Sequence, residues 1–140
     1  MPNGIRAIAI NEDNNEPGVF RELDNGRTRL CYASPECLLR HNGFKQLFRK
    51  PSFRQRIGGI VVDEAHVTFL WSKGFRVDYG ELMQLRVQTR VDIPWALFSA
   101  TFPSKIFNFC GRKLRMGASL PFWGINLGAD RPSIAQWVRP

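Results

Sequence analysis

Short apolar runs of strand length return at intervals along this chain, and stretches long enough for helices fill the gaps between them. The runs are Ile5 to Ile10, Arg29 to Ala33, Ile57 to Val62, Pro94 to Ser99 and Phe122 to Leu127. The intervening stretches carry helical spacing. Gly18 to Leu23 is a short amphipathic segment, and Pro35 to Arg49 is a longer one interrupted at Asn42-Gly43. Asp78 to Val87 turns Leu82, Met83 and Leu85 inward, and Pro103 to Leu114 sets Ile106, Phe107 and Phe109 against Lys105, Arg112 and Lys113. Strands alternating with helices predict a parallel sheet covered on both faces, because parallel strands need long crossovers and those crossovers pack as helices. The expected fold class is α/β, doubly wound. With 140 residues, 44% of them apolar, the chain has enough material for one domain with its own core. It shows no internal repeat or low-complexity tract, and Asn11 to Glu16 is predicted to be a polar loop after the first strand.

Charge narrows the partners. Twenty Lys and Arg against twelve Asp and Glu leave a net charge of +8, which suits a polyanion such as nucleic acid or an anionic membrane surface. No run approaches the roughly 20 apolar residues of a membrane span, and Met1-Pro2-Asn3-Gly4 does not read as a signal peptide. A soluble intracellular protein, nuclear or cytoplasmic, is the expectation. Cys31, Cys37 and Cys110 are scattered, with no Cys-x-x-Cys pair and no histidine at zinc-site spacing, so they are read as reduced, half-buried apolar residues.

The chemistry concentrates in Ile60-Val61-Val62-Asp63-Glu64-Ala65-His66, an apolar strand ending in adjacent carboxylates. A buried strand that delivers an acid to the rim of the sheet is the Walker B arrangement of nucleotide-hydrolysing motors. In that arrangement Asp63 holds a nucleotide-associated Mg²⁺ through water, since this ion prefers oxygen ligands and keeps part of its hydration shell. Glu64 orients or deprotonates the attacking water. An Asp-Glu pair after a strand can equally be a helix N-terminus favoured by the dipole, a reading that His66 weakens. Downstream, Ala96-Leu97-Phe98-Ser99-Ala100-Thr101 ends a second apolar strand in two hydroxyls separated by alanine. Taken alone, such a tripeptide is usually a strand end or a helix cap. Beside the acidic strand, Ser99 and Thr101 become a coupling element that can exchange hydrogen bonds with a carboxylate or an imidazole, the small residues allowing close approach.

Asp63-Glu64-Ala65-His66 and Ser99-Ala100-Thr101 resemble motifs II and III of superfamily 2 helicases. Trp71-Ser72-Lys73-Gly74-Phe75-Arg76-Val77-Asp78-Tyr79 resembles the aromatic-rich loop of the RecQ helicases. Ala7-Ile8-Ala9-Ile10-Asn11 is similar to motif Ia of that family, Tyr32-Ala33-Ser34-Pro35-Glu36 to motif Ib, and Asp130-Arg131-Pro132-Ser133 to the entry into its second motor domain. The resemblance runs over nearly the whole chain. It implies a RecA-like first motor domain over residues 1–128 and the start of a linker or second motor domain over 129–140. It also implies a 3′ to 5′ DNA helicase that uses ATP and Mg²⁺, works in DNA recombination and repair, and has single-stranded or forked DNA as partner. In the family the aromatic loop senses single-stranded DNA, which carries that role to Trp71, Phe75 and Arg76, because bases of any identity stack on aromatic faces. Motifs Ia and Ib line the DNA path, which makes Asn11, Ser34 and Pro35 contacts to the phosphate backbone that position a strand without reading it.

The chain departs from the pattern in identifiable places. It contains no Gly-Lys dipeptide and so no phosphate-cradling loop of the G-x-x-x-x-G-K-[ST] type. The family places that loop ahead of motif Ia, so the expectation is a domain missing its front, completed by the remainder of the motor. The alternative is a nucleic-acid-binding remnant without catalysis. Val67-Thr68-Phe69-Leu70 replaces several polar positions of the family's loop. Phe69 is either an extra stacking platform or core packing, and core is the better prior for a single aromatic.

Overall fold

The computed structural model describes residues 4–70, 81–118, 121–125 and 128. Strand β1 (Ala7–Ile10) leads to helix α1 (Pro17–Asp24), and β2 (Leu30–Ala33) to α2 (Pro35–Arg40), α3 (Asn42–Arg49) and the single turn α4 (Pro51–Arg54). Then come β3 (Ile60–Val62), α5 (Val67–Leu70), α6 (Gln84–Thr89), β4 (Trp95–Leu97) and α7 (Ser104–Lys113). The α/β reading therefore holds, with every strand pair parallel. Among the described residues the strands form two parallel pairs, β1 with β2 and β3 with β4.

Local chemistry explains the helix starts. Pro17, Pro35 and Pro51 stand in the first turns of α1, α2 and α4, where a missing N–H costs nothing. The Ser34 hydroxyl accepts the Cys37 N–H and caps α2. The break expected at Asn42-Gly43 falls one residue earlier. His41 ends α2 in an extended conformation, and its Nδ1 accepts the Gly43 N–H to begin α3.

Burial alternates along β1 and β2. Ile8 and Ile10 of β1, with Cys31 and Ala33 of β2, turn toward α1 and α3, where Phe20, Leu23, Phe44, Leu47 and Phe48 fill the core. Tyr32 on the opposite face is 60% exposed, and so is most of Val61 in β3. The same core continues through Val62, Ala65, Leu82, Leu85 and Leu114, joining the two strand pairs. Arg86 fastens the second half. Its Nε donates to the Leu114 carbonyl at 2.9 Å, while its guanidinium lies 4.9 Å from the centre of the Trp95 ring. Burial lowers its pKa from the usual arginine value.

Two expectations change. Phe122 to Ile125, read as the start of a fifth strand, has no regular structure; Trp123 is 78% exposed and Phe122 packs on Phe107. An apolar run with no strand beside it has no hydrogen-bonding partner and so does not become a strand. Phe69 sits edge-on against Phe109, with ring centres 5.1 Å apart, which is the core reading of that residue. Leu127 and residues 78–80 of the Asp78 to Val87 helix lie outside the described residues, as do residues 129–140.

Gly43 is required by close approach. A Cβ there would lie 2.5 to 2.6 Å from carbons of the Phe20 ring, which is itself stacked on His41 at 4.8 Å. Gly43→Ala is expected to destabilise the fold by about 1 to 3 kcal/mol through overpacking. A denaturant titration reads this as a lower midpoint at unchanged slope, and an unchanged or higher midpoint would refute it.

Candidate functional site

The site residues follow from strand register. In β3–β4 the partners are Ile60 with Trp95, Val61 with Ala96 and Val62 with Leu97, so the acidic segment from Asp63 and the hydroxyl segment from Phe98 leave the same end of the pair. The Phe98 N–H donates to the Val62 carbonyl at 2.9 Å in register. The Ala65 N–H, one residue beyond the in-register donor Glu64, reaches the Phe98 carbonyl at 2.8 Å, so the acidic turn is tied to the second strand with a one-residue offset. Both segments end at the carboxyl edge of parallel strands, where α/β folds place their ligand sites.

Beyond that edge the chain makes a strained turn. Glu64 has φ of +48°, a left-handed conformation that non-glycine residues adopt at a cost of about 1 to 2 kcal/mol. The Asp63 carboxylate accepts the Glu64 N–H at 2.9 Å and holds the turn from one side. From below, the turn rests on Ala65 and Cys110, both fully buried, and the Cys110 thiol donates to the Ala65 carbonyl at 3.3 Å. Burial raises the pKa of that thiol, which keeps it a donor. The close approach anticipated at Ala100 is therefore made by Ala65, while Ala100 itself is exposed.

The turn brings Glu64, His66 and Ser99 together. His66 Nδ1 is 3.1 Å from a Glu64 carboxylate oxygen and 2.9 Å from the Ser99 hydroxyl. The hydroxyl donates its one proton to the Thr101 carbonyl at 2.9 Å and accepts the Thr101 N–H at 3.2 Å. Toward His66, Ser99 can therefore only accept, and an ionised carboxylate likewise only accepts. Both contacts require the proton on Nδ1, shared between the two oxygens. Ser99 thus meets His66 through its side chain, whereas Thr101 contributes its backbone; the sequence had assigned both hydroxyls the same role.

The remaining sequence-predicted residues occupy related places. Asn11 and Ser34 follow the registered partners Ile10 and Ala33, so they too leave adjacent parallel strands at the carboxyl edge. Asn11 is exposed, but its side-chain oxygen accepts the N–H groups of Asp13 and Asn14 and is committed to the turn. Ser34 caps α2 by accepting the Cys37 N–H but stays exposed, with its hydroxyl proton free to donate, while Pro35 is buried. Trp71, Phe75 and Arg76 lie outside the described residues. Sequence reasoning missed Cys110, because nothing in its spacing indicates that a thiol in α7 reaches the acidic turn. Cys31 and Cys37 are free and half-buried, as read; burial first, then the neighbouring Cys37, raises the Cys31 pKa to about 11, and burial first, then Glu36, raises that of Cys37.

The acidic donors fit a hydrated Mg²⁺. Asp63 is exposed, with one carboxylate oxygen engaged by the Glu64 N–H and the other left for a ligand. Such a site suits an ion that uses one or two protein carboxylates and completes its shell with water and phosphate oxygens.

Comparison with known proteins agrees with this geometry. Residues 2–109 match the model of the DEAD/DEAH box helicase family. The chain belongs to that family. It is 30% identical over 127 residues to "ATP-dependent DNA helicase Q-like 2" of Arabidopsis thaliana, covering 89% of this chain and 17% of the relative. It is 36% identical over 86 residues to "ATP-dependent DNA helicase RecQ" of Synechocystis, covering 59% of this chain and 17% of the relative. The RecQ helicase of Haemophilus influenzae is 30% identical over 103 residues, 71% of this chain and 16% of that protein. These similarities make the chain RecQ-type within the helicase family, and it spans about a sixth of the length of these relatives. No helix among the described residues of this helicase-family chain is long and apolar enough to cross a membrane.

The shared proton makes a direct prediction. In nitrogen-15 spectra of the imidazole, neutral His66 is expected as the Nδ1–H tautomer, and Ser99→Ala is expected to shift its Nδ1 resonance while leaving His41 unmoved. A dominant Nε2–H tautomer of His66 would contradict the network.

Proposed function

We propose that this chain forms the water-activating and coupling part of a RecQ-type, ATP-dependent 3′ to 5′ DNA helicase motor. The observation that carries the proposal is the Glu64–His66–Ser99 network, which joins the acidic turn after β3 to the hydroxyl turn after β4. Asp63 would hold Mg²⁺ through water, and Glu64, at the exposed end of the network, would orient or deprotonate the attacking water. Bound Mg²⁺ would neutralise charge developing on the phosphate oxygens. His66 would keep Glu64 aimed while sharing the same proton with Ser99, so a movement of the Ser99 turn would change how firmly Glu64 is held. Trp71, Phe75 and Arg76 would report the presence of single-stranded DNA, by stacking and by contact with phosphate. The remainder of the motor would supply the phosphate-cradling loop that these 140 residues do not contain. Polarity and the preference for DNA rest on the RecQ resemblance.

Two measurements test the proposal. The 140-residue chain is expected to hydrolyse ATP negligibly, having no phosphate-cradling loop; turnover that Glu64→Gln abolishes would contradict this. The chain is also expected to bind a labelled single-stranded oligonucleotide with an affinity that falls as salt rises. Trp71→Ala should weaken that binding by about 1 kcal/mol or more, the scale of one lost base stack. Binding indifferent to Trp71→Ala would remove the aromatic loop from the DNA-sensing role.

A further inference from the structure

Charge is distributed unevenly between the two ends of the first strand pair. The carboxyl edge of β1 and β2, where Asn11 and Ser34 lie, is followed by Glu12, Asp13, Glu16 and Glu36. The amino edge is basic. Arg6 precedes β1, Arg27 and Arg29 precede β2, and the Arg29 N–H donates to the Arg6 carbonyl, which fixes the two lead-in segments side by side. Helices α1 and α3 both run toward this edge, and their ends meet where Lys50 pairs with Asp24 at 2.5 Å. Arg56 joins the group by donating to the Asp24 carbonyl.

Five cations, Arg6, Arg27, Arg29, Lys50 and Arg56, thus lie at this edge with two carboxylates, Glu22 and Asp24. Glu22 is engaged by Arg6 at 2.9 Å and Asp24 by Lys50, so both acids are already committed. Thr28 is buried between exposed Arg27 and Arg29, which turns both arginines outward from the same short segment. Positive charge concentrated in this way, with its local acids already paired, is left to interact with an external anion. Four of the five are arginines, whose planar forks fit phosphate oxygens in pairs.

We propose that the amino edge of the β1–β2 pair is a second nucleic-acid surface, binding the phosphodiester backbone of a single strand at the end of the strands opposite the motif residues. This deepens the function proposed above and rests on its assignment of nucleic acid as partner. The surface holds a strand by charge without reading bases. An acidic protein segment is the competing occupant.

The test is fluorescence anisotropy with a labelled single-stranded oligonucleotide over a salt series. It compares the unaltered chain, the exposed double variant Arg27→Gln/Arg29→Gln, and Trp71→Ala. The double variant is expected to bind several-fold more weakly at low salt and to lower the slope of log affinity against log salt by about 1.4, the loss of two single-strand phosphate contacts. An unchanged slope and affinity in the double variant, with Trp71→Ala weakened, overturns the second surface and leaves the aromatic-loop reading standing. Weakening by the double variant alone supports the second surface and counts against the loop. If the oligonucleotide does not bind while a labelled polyglutamate peptide binds through Arg27 and Arg29, the surface is for an acidic protein and the proposal fails.

Discussion

The arrangement depends on two backbone hydrogen bonds that tie the acidic turn to the second strand, Phe98 N–H to the Val62 carbonyl in register and Ala65 N–H to the Phe98 carbonyl one residue out of it. A parallel register cannot slip by one residue without turning every side chain to the opposite face. Here Val62 must face the core, so the register up to Val62 is fixed by burial, and the one-residue offset after it is taken up in the turn at Glu64. The turn that follows is held by contacts from three directions: the Asp63 carboxylate on the Glu64 N–H, the Cys110 thiol on the Ala65 carbonyl, and the paired strand beneath. A left-handed glutamate persists because its surroundings over-determine it.

Much of this was legible in the sequence, for reasons that differ between elements. The four strands among the described residues were visible because apolar runs end at turn-forming residues, and the longer helices because apolar positions repeat at helical spacing; the single turns α4 and α5 are too short to carry such a period and were not anticipated. Ser99 and His66 could be paired in advance because chemistry limits what a hydroxyl beside an acidic strand can do. Phe122 to Ile125 misled because an apolar run carries no information about whether another strand is available to pair with it. Thr101 misled for another reason: its sequence gives a hydroxyl, whereas its backbone makes the contact. Cys110 was invisible because its role comes from where α7 packs, a property of tertiary structure alone.

The charge pattern sharpens what the composition could only suggest. A net charge of +8 indicates a polyanionic partner but not a location. At the β1–β2 pair the motif-bearing edge is acidic and the opposite edge basic, so the surplus there is separated from the residues that motifs Ia and Ib would contribute. Asn11 and Ser34 use their side-chain oxygens as acceptors for their own backbone, which shapes the loops at that edge. Attraction over distance falls to the arginines, whose reach is set by ionic strength.

The central claim is that the acidic turn and the hydroxyl turn act as one unit through His66. A double-mutant cycle on the stability of the chain tests it most directly, using His66→Ala, Ser99→Ala and the pair. Residues sharing one hydrogen-bond network are expected to show a coupling of about 0.5 to 3 kcal/mol. Additive effects, with coupling near zero, would mean that the two turns are neighbours without being joined.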